Sequence, residues 1–332
     1  MAIERGLTPL LSGRNPETLE YQASELDLDY EVATLDDADS LRKAMSGVPV
    51  VLNCAGPFVR TASQVVDACL RSGTHYLDVT GEPPVYEMVA SHNGDAIGKG
   101  LMLLPSVGFD VVPTDCLAAH LFRRLPSATH LALAFHQNGP AALPPGTLNT
   151  SIEMIPYGSS KQHRVEGNVV AAPQRKTRTI DFGDGDVTAS MLTWGDVFLA
   201  YRSTGIPNIE DYVVFPPQII KQMDLTDRIR PLFHIPMVRE AAKRAMRGGS
   251  SEEQLAATAT SVWGEVTDAT GRRAVSRLHG PEAGVVWTSR SALDVVRHVM
   301  DGDVTPGFQT PSTAYGPDLV LEAEGITRED VE

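Results

Sequence analysis

Between residue 8 and about residue 126, short apolar runs alternate with amphipathic ones, and this alternation limits the fold more than any other feature of the chain. The strand-like runs are Thr8 to Ser12, Tyr30 to Leu35, Val48 to Ala55, His75 to Thr80 and Leu101 to Val107. Helical patterns separate them: Pro16 to Glu25, Ala38 to Met45, Ala62 to Arg71 and Pro84 to Lys99. Runs such as VPVVLNCA and LMLLPSV are apolar nearly throughout, as expected where helices cover both faces of a parallel sheet. Asn15 followed by Pro16, and Asp36 or Asp37 before Ala38, are N-cap chemistry. Gly47, Gly73 and Gly100 stand between a helix and the next strand, where a left-handed C-cap is wanted. The expected fold class is α/β, a Rossmann-like doubly wound parallel sheet.

Phe109 to Leu125 reads as one more helix, and then the texture changes. Thr129 to Phe135 is a strand, Gly146 to Ile155 a helix, and short β-like runs fill 164 to 215. Gln218 to Arg247 is mostly helical, 261 to 280 is a hairpin around a Thr-Gly turn, and Val285 to Met300 is helical after a strand-like first turn. A second, α+β domain on a mixed, largely antiparallel sheet is expected.

With 332 residues there is length for two domains. The net charge of -14 argues against nonspecific binding to nucleic acid or to an anionic membrane, and leaves room for a local basic pocket. The three cysteines, Cys54, Cys69 and Cys116, lack metal-ligand spacing, and with no signal-like segment or long apolar run the expectation is a cytoplasmic protein handling small molecules, with no metal and no transmembrane segment.

Ser12-Gly13-Arg14-Asn15 ends the first apolar run. A carboxylate at the end of the second strand of a Rossmann fold favours NAD. An Arg there favours NADP, through a charge-assisted contact with the 2′-phosphate. The competing interpretation is a surface Arg beside a helix N-terminus. NCAGPF, 53 to 58, and HYLDVTGE, 75 to 82, put small residues at strand ends, where a cofactor could lie close to the backbone. Asp78 is as readily a satisfied turn residue as a catalytic one. In VGFDVVPTDCLAAHL, 107 to 121, Asp110 and Asp115 stand near a helix start, either as caps or as the wall of a substrate site.

These motifs, with LLPSVGFDVVPTDCLA, WGEVTDATGRR and PGFQTPSTAYG, resemble the saccharopine dehydrogenase-like NADP-dependent oxidoreductases, above all the bacterial trans-acting enoyl reductase type. The resemblance runs along essentially the whole chain. It implies an NADP-binding Rossmann-like domain over 1–126, a substrate and dimerisation domain over 127–300, and a C-terminal segment, 301–332, that returns to the first domain. The cofactor-binding set it implies is Ser12, Gly13, Arg14, Asn15, Asp36, Ala55, Gly56, Pro57 and Phe58. NADP(H) is the expected cofactor and hydride transfer with a small or lipid-like enoyl or carbonyl substrate the expected reaction, an acyl thioester among the substrates and a homodimer among the states. Asp110, Asp115, Tyr157 and Tyr315 are the candidates for a proton donor.

The family's first strand ends in a glycine-rich turn, and no such stretch occurs here; MAIERG reads as the last turn of the helix that follows it. The expectation is that the true start lies upstream, by roughly 20 residues or more, about a strand, turn and helix. Without that cradle the pyrophosphate loses its helix N-terminus. The apolar strand edges at 8–12 and 48–55 also lose their shared neighbour, at about 1–3 kcal/mol for each buried unpaired group. The alternative is therefore a non-catalytic Rossmann-like scaffold or an inactive truncated paralogue. In the second domain, GTLNTSIEMI could line a pocket with Thr147 and Ser151 or pack on the sheet, and FPPQIIKQM, 215 to 223, could face a lipid-like substrate or lie in the core, core burial being the expectation.

Overall fold

The computed structural model describes residues 1–246 and 248–332. A 3-10 turn, Ile3–Arg5, leads into β1 (Leu11–Gly13), α1 (Pro16–Leu26), β2 (Tyr30–Val32), α2 (Ala38–Ala44), β3 (Val50–Asn53), α3 (Phe58–Ser72) and β4 (His75–Asp78). Then come α4 (Pro83–Ser91), α5 (Asn93–Lys99), β5 (Met102–Leu104) and α6 (Val112–Arg124). Most capping signals act as read: Asn15 accepts from the Thr18 N–H, Asp37 from Asp39 and Ser40, and Gly73 and Gly100 cap α3 and α5 with φ of +74° and +67°; Gly47 is left-handed too (φ +75°), but Met45 caps α2. The expected Pro84–Lys99 helix is broken at His92 into α4 and α5, and the Asn93 side chain accepts from the Phe308 N–H.

The parallel sheet is split. β3, β4 and β5 pair in parallel and continue to β14 (Gly307–Phe308), while β1 and β2 form a separate two-stranded sheet. Every residue of β5 is buried, and so is β4 apart from His75, as an apolar run covered on both faces should be. No residue of β1 or β2 is buried. β3 is buried only at Asn53, and one edge of β1 and one edge of β3 have no partner strand among the described residues. β3, β4 and β5 end before their apolar runs do, since Asn53, Asp78 and Ser106 (φ +62°) turn their side chains or backbone to local hydrogen bonds.

The second half runs β6 (Ala128–Asn138), α7 (Pro145–Met154), β7 (Gln162–Val165), β8 (Asn168–Ala171), β9 (Thr177–Asp181), β10 (Asp186–Met191), α8 (Asp196–Thr204) and β11 (Asn208–Val213). α9 (Pro217–Ile229), α10 (Pro236–Ala245), α11 (Glu252–Ala256), β12 (Ala259–Asp268), β13 (Arg273–Pro281) and α12 (Thr288–Met300) follow. β14, α13 (Pro311–Tyr315) and β15 (Thr327–Asp330) complete the chain. α8 lies inside a stretch expected to be only β-like; DVFLAYRST is bracketed by Gly195 and by Gly205, whose φ of +71° caps it. The large sheet has the order β15-β13-β12-β6-β11-β10-β9, with only β6 and β11 parallel among these neighbours, and the β7–β8 hairpin joined to β11. It curls over on itself. Arg178 of β9 reaches Glu265 of β12 at 2.5 Å and lies over the Trp263 ring, and Arg277 of β13 reaches Asp181 of β9 at 2.8 Å. Ala132, Ala134, Ile180, Met191, Tyr212 and Trp263 pack together inside that curl.

The other face of the sheet packs on α6 and α12. There Leu117, Leu121, Leu131, Leu133, Val262 and Trp287 join Leu77 and Leu104 of the parallel sheet in one core. Gly264 and Gly280 are required at this junction: a Cβ would come within 2.6 Å of Leu121 at the first and 2.5 Å of Trp287 at the second. The C-terminal segment serves both halves, β14 extending the parallel sheet and β15 the large one. The segment FPPQIIKQM does not enter the core. Pro216 through Ile219 are exposed, because α9 turns its Asp224 and Asp227 toward the body and its apolar residues outward.

Candidate functional site

The loops leaving β3, β4 and β5 at their carboxyl ends are hydrogen-bonded into one another. After β3, the buried Asn53 closes an Asx turn by accepting from the Ala55 N–H at 3.0 Å, and Thr61 donates to the Ala55 carbonyl at 2.7 Å. The turn passes a cis Gly56–Pro57 bond into α3. After β4, Asp78 accepts from the Tyr76 hydroxyl at 2.6 Å and from the N–H groups of Thr80 at 2.9 Å and Ser106 at 2.8 Å. Ser106 in turn donates to the Thr80 carbonyl at 2.5 Å. Asp78 is thus a satisfied turn residue that clamps the β4 and β5 loops together. Burial nevertheless pushes its pKa up, to about 6.

Glu82, fully buried, holds the next link. Its carboxylate accepts from the Phe58 N–H at 2.8 Å and the Val59 N–H at 2.6 Å, capping α3 from a neighbouring loop. The Thr150 hydroxyl of α7 lies near this group and lowers the Glu82 pKa, and a Cβ on Gly56 would lie 3.5 Å from it. Burial raises the Glu82 pKa against the pull of these donors. Neither Glu82 nor Thr150 stands out in the sequence, because each role depends on a partner in another element. The spacing that could have pointed to Glu82 is its place four residues after Asp78, on the strand-end loop.

Asp110 sits against this group. Its Oδ2 is so close to Gly81 that a Cβ there would approach to 2.8 Å. Among the described residues its carboxyl has no hydrogen-bond partner, and its pKa rises to about 7, through burial first and the Glu82 charge second. Neither Asp110 nor Asp115 caps α6, so the capping interpretation does not hold for either. Aromatic rings surround the loop. Phe109 meets Trp287 at 5.3 Å and Phe135 at 5.6 Å, and Phe135 meets Trp194 at 4.7 Å. The large sheet abuts here: a Cβ on Gly195 would fall 2.8 Å from the Tyr86 hydroxyl.

The other proton-donor candidates lie elsewhere. Asp115 accepts from the Ser312 N–H at 2.7 Å and ties α6 to α13. Tyr315 donates to the Asp303 carbonyl at 3.0 Å and stacks on His298 at 4.4 Å. Tyr157 is exposed in the turn after α7. Ser151 donates to the Thr147 carbonyl within α7.

Buried acids make stability depend on pH. Asp78 and Asp110, raised to about 6 and about 7, bind a proton more tightly folded than unfolded. Asp196 and Asp211 are raised too, by burial, and Asp196 also by the Asp211 charge. The stability contributed by these protons is complete below the ordinary carboxylate range and is lost as pH rises through the raised values. We expect the melting temperature to fall between mildly acid pH and pH about 7 and beyond. Asp211→Asn should raise it at the alkaline end, since Asn can still accept from the Val197 N–H. Calorimetry across pH checks this, and a flat profile would contradict it.

At the end of β1, Ser12, Arg14 and Asn15 are exposed on one turn, with Gly13 packed against Leu19. Arg14 has no carboxylate partner among the described residues. Asp36 is exposed near the end of β2, and Asp37 rather than Asp36 caps α2. The expected cofactor residues therefore fall into two groups, the β1 turn and the 55–58 turn, on the two separate sheets. They fit the two ends of NADP(H): a free guanidinium for a phosphate, and a small-residue turn at a carboxyl edge. The α3 N-terminus does not fit the pyrophosphate, because the Glu82 carboxylate already holds its N–H groups. A cavity of about 770 Å³ opens at the amino ends of β1 and β2, lined by Thr8, Leu10, Ala23, Leu28 and Tyr30, away from this edge.

No helix of the described residues is long and apolar enough to cross a membrane. Residues 10–104 match the family model of the saccharopine dehydrogenase NADP binding domain. The "probable mitochondrial saccharopine dehydrogenase-like oxidoreductase" of Arabidopsis thaliana is 38% identical over 114 residues, which is 32% of this chain and 25% of that protein. The trans-acting enoyl reductase of Mycobacterium ulcerans is 30% identical over 120 residues, 34% of this chain and 29% of that protein. The matched region thus spans less than a third of either relative. Apo saccharopine dehydrogenase (L-Glu forming) of Saccharomyces cerevisiae has the same fold, with a TM-score of 0.66 at 10% identity over 98% of this chain and 94% of that one. Residues 10–104 are thus similar to the NADP binding domain of saccharopine dehydrogenase, in a chain that shares the fold of the yeast enzyme.

Proposed function

We propose that this protein is an NADP(H)-dependent oxidoreductase that reduces an enoyl or carbonyl group of a small or lipid-like substrate, with Asp110 as proton donor. The observation that carries this reading is the unpartnered Asp110 carboxyl, beside Gly81 at the carboxyl edge of the parallel sheet, with a pKa of about 7. NADPH, when bound, supplies the hydride. Asp110 holds the proton that the reduced substrate needs, at its oxygen or at the carbon next to its carbonyl, and is left as a carboxylate to be reprotonated from water. The Glu82 charge keeps that proton in place near neutrality, and Phe109, Trp194 and Trp287 keep the loop dry. Arg14 would meet the 2′-phosphate and the 55–58 turn the nicotinamide half.

An α,β-unsaturated acyl thioester is the substrate class we favour, a homodimer the quaternary state, and the cytoplasm the location. The enoyl reductase named among the relatives supports the first. The exposed Val165 and Val170 of the β7–β8 hairpin support the second, and the three free cysteines the third. NADPH oxidation in the presence of unsaturated acyl thioesters tests the reading, with consumption of cofactor expected in step with substrate. A second reading, a scaffold that binds the nucleotide without turnover, is favoured by one observation: Glu82 occupies the α3 N-terminus. Binding without turnover across a broad substrate panel would decide for it.

A further inference from the structure

α9, α10 and the 3-10 turn between them, Arg230–His234, are inside out. No residue of α9 or α10 is buried. Phe233 of the turn is buried and Ile220, Met223 and Val238 are half-buried, but the specific inward contacts of the two helices are polar: Asp224 pairs with Arg175 at 2.9 Å, Asp227 accepts from the Ser160 N–H at 3.0 Å, and Arg239 and Lys243 hold the buried Glu153 of α7. Their outward side carries Ile219, Leu225, Ile229, Leu232, Ile235 and Met237, exposed by 39% to 80%. On α9 the three apolar residues lie within an arc of about 120°. An amphipathic helix in a folded protein turns its apolar arc to the core. This one is turned the other way, with no cover over its apolar arc among the described residues.

The charge of the segment says what covers it. Residues 217–245 hold six Lys or Arg against three Asp or Glu, in a chain whose net charge is -14. Lys221, Arg228, Arg230 and Arg244 have no carboxylate partner among the described residues, whereas the three acids are engaged with Arg175, Ser160 and Lys243. Exposed Ile, Leu and Met beside unpaired Lys and Arg match the boundary between acyl chains and anionic headgroups. A second copy of the chain would bring the same positive charge to the face.

We propose that α9, α10 and the turn between them are a docking face for an anionic lipid bilayer. The face borders the candidate site. α10 packs on α7, and α7 brings Thr150 to Glu82 and Gly56. A substrate with an acyl chain could pass from a bilayer into the loops around Asp110 by way of α7. The docking itself does not rest on the proposed reaction.

The test is sedimentation of the full chain with phosphatidylcholine vesicles, with and without phosphatidylserine, at low and high salt. The expected result is association that needs phosphatidylserine and weakens in high salt. Two pairs of substitutions at exposed positions, Leu225→Asp with Met237→Asp and Lys221→Glu with Arg228→Glu, should each weaken it about tenfold or more. Absence of association with either vesicle would overturn the proposal, as would equal association of wild type and both variants. So would a lipid-free dimer that the Leu225→Asp, Met237→Asp pair dissociates, since the face would then be covered by a second copy. No cofactor or substrate enters this measurement, so its outcome is separate from that of the oxidoreductase reading.

Discussion

Asp110→Asn is expected to lower turnover by about 10²- to 10⁴-fold while leaving NADPH affinity within a factor of a few. The side chain is nearly isosteric and has no hydrogen-bond partner to lose, so the fold should tolerate it. What disappears is the proton. In the wild type, reduction needs Asp110 protonated, so the rate should be full below pH about 7 and decline as pH rises through it. The variant should show only the residual rate, without that limb. Asp110→Glu is the discriminating control: it keeps an acid but pushes the carboxyl toward Gly81, where the approach is already too close for a Cβ. It should fall between the two. A variant Asp110→Asn with wild-type turnover and an unchanged pH profile would remove Asp110 from the chemistry altogether.

Arg14→Glu should shift cofactor choice rather than rate. Arg14 is exposed and unpaired among the described residues, so its removal disturbs nothing in the fold. A charge-assisted contact with a 2′-phosphate is worth about 1.5–3 kcal/mol, which predicts NADPH binding weakened by about 10- to 100-fold. NADH, which has no 2′-phosphate, should bind as well as before or better, since the introduced carboxylate can accept from the ribose hydroxyls. Calorimetric titration of both cofactors measures the two affinities side by side. Equal losses for both would mean that the β1 turn is not where the phosphate sits.

How far the fold could be read from the chain depended on whether each signal was local. β5 was legible because its run is apolar from end to end, and β4 because Tyr76 and Leu77 lie between a glycine-capped helix and a strand-end loop. Asn15 with Pro16, and the glycines at 47, 73 and 100, were legible because caps are built from adjacent residues. α8 was missed because nine helical residues lie among glycines and prolines that dominate any local pattern. FPPQIIKQM was expected to be buried because apolar residues usually are, and the sequence does not record that Asp224 and Asp227 take the inward side. The candidate site was legible as motifs but not as a site. Asp110 was visible beside Asp115, with nothing to rank them. They separate only when the Ser312 N–H, nearly two hundred residues later, ties one oxygen of Asp115 to α13, while Glu82 charges the surroundings of Asp110.

The division of the parallel sheet bears on what a bound dinucleotide would do mechanically. The turn that would hold its phosphorylated ribose rides on β1 and β2, and the turn that would hold its nicotinamide rides on β3 and β4, with no ladder of hydrogen bonds between the two pairs among the described residues. A ligand spanning both is a bivalent tether. Its second attachment benefits from the effective concentration created by the first. The two turns are held in register by packing, since Ala33, Leu41, Ala44 and Met45 share one core with Val65, Val66 and Cys69 of α3. Either half of the dinucleotide alone would bind without that gain, so the affinity of the whole should exceed the product expected of its unlinked halves.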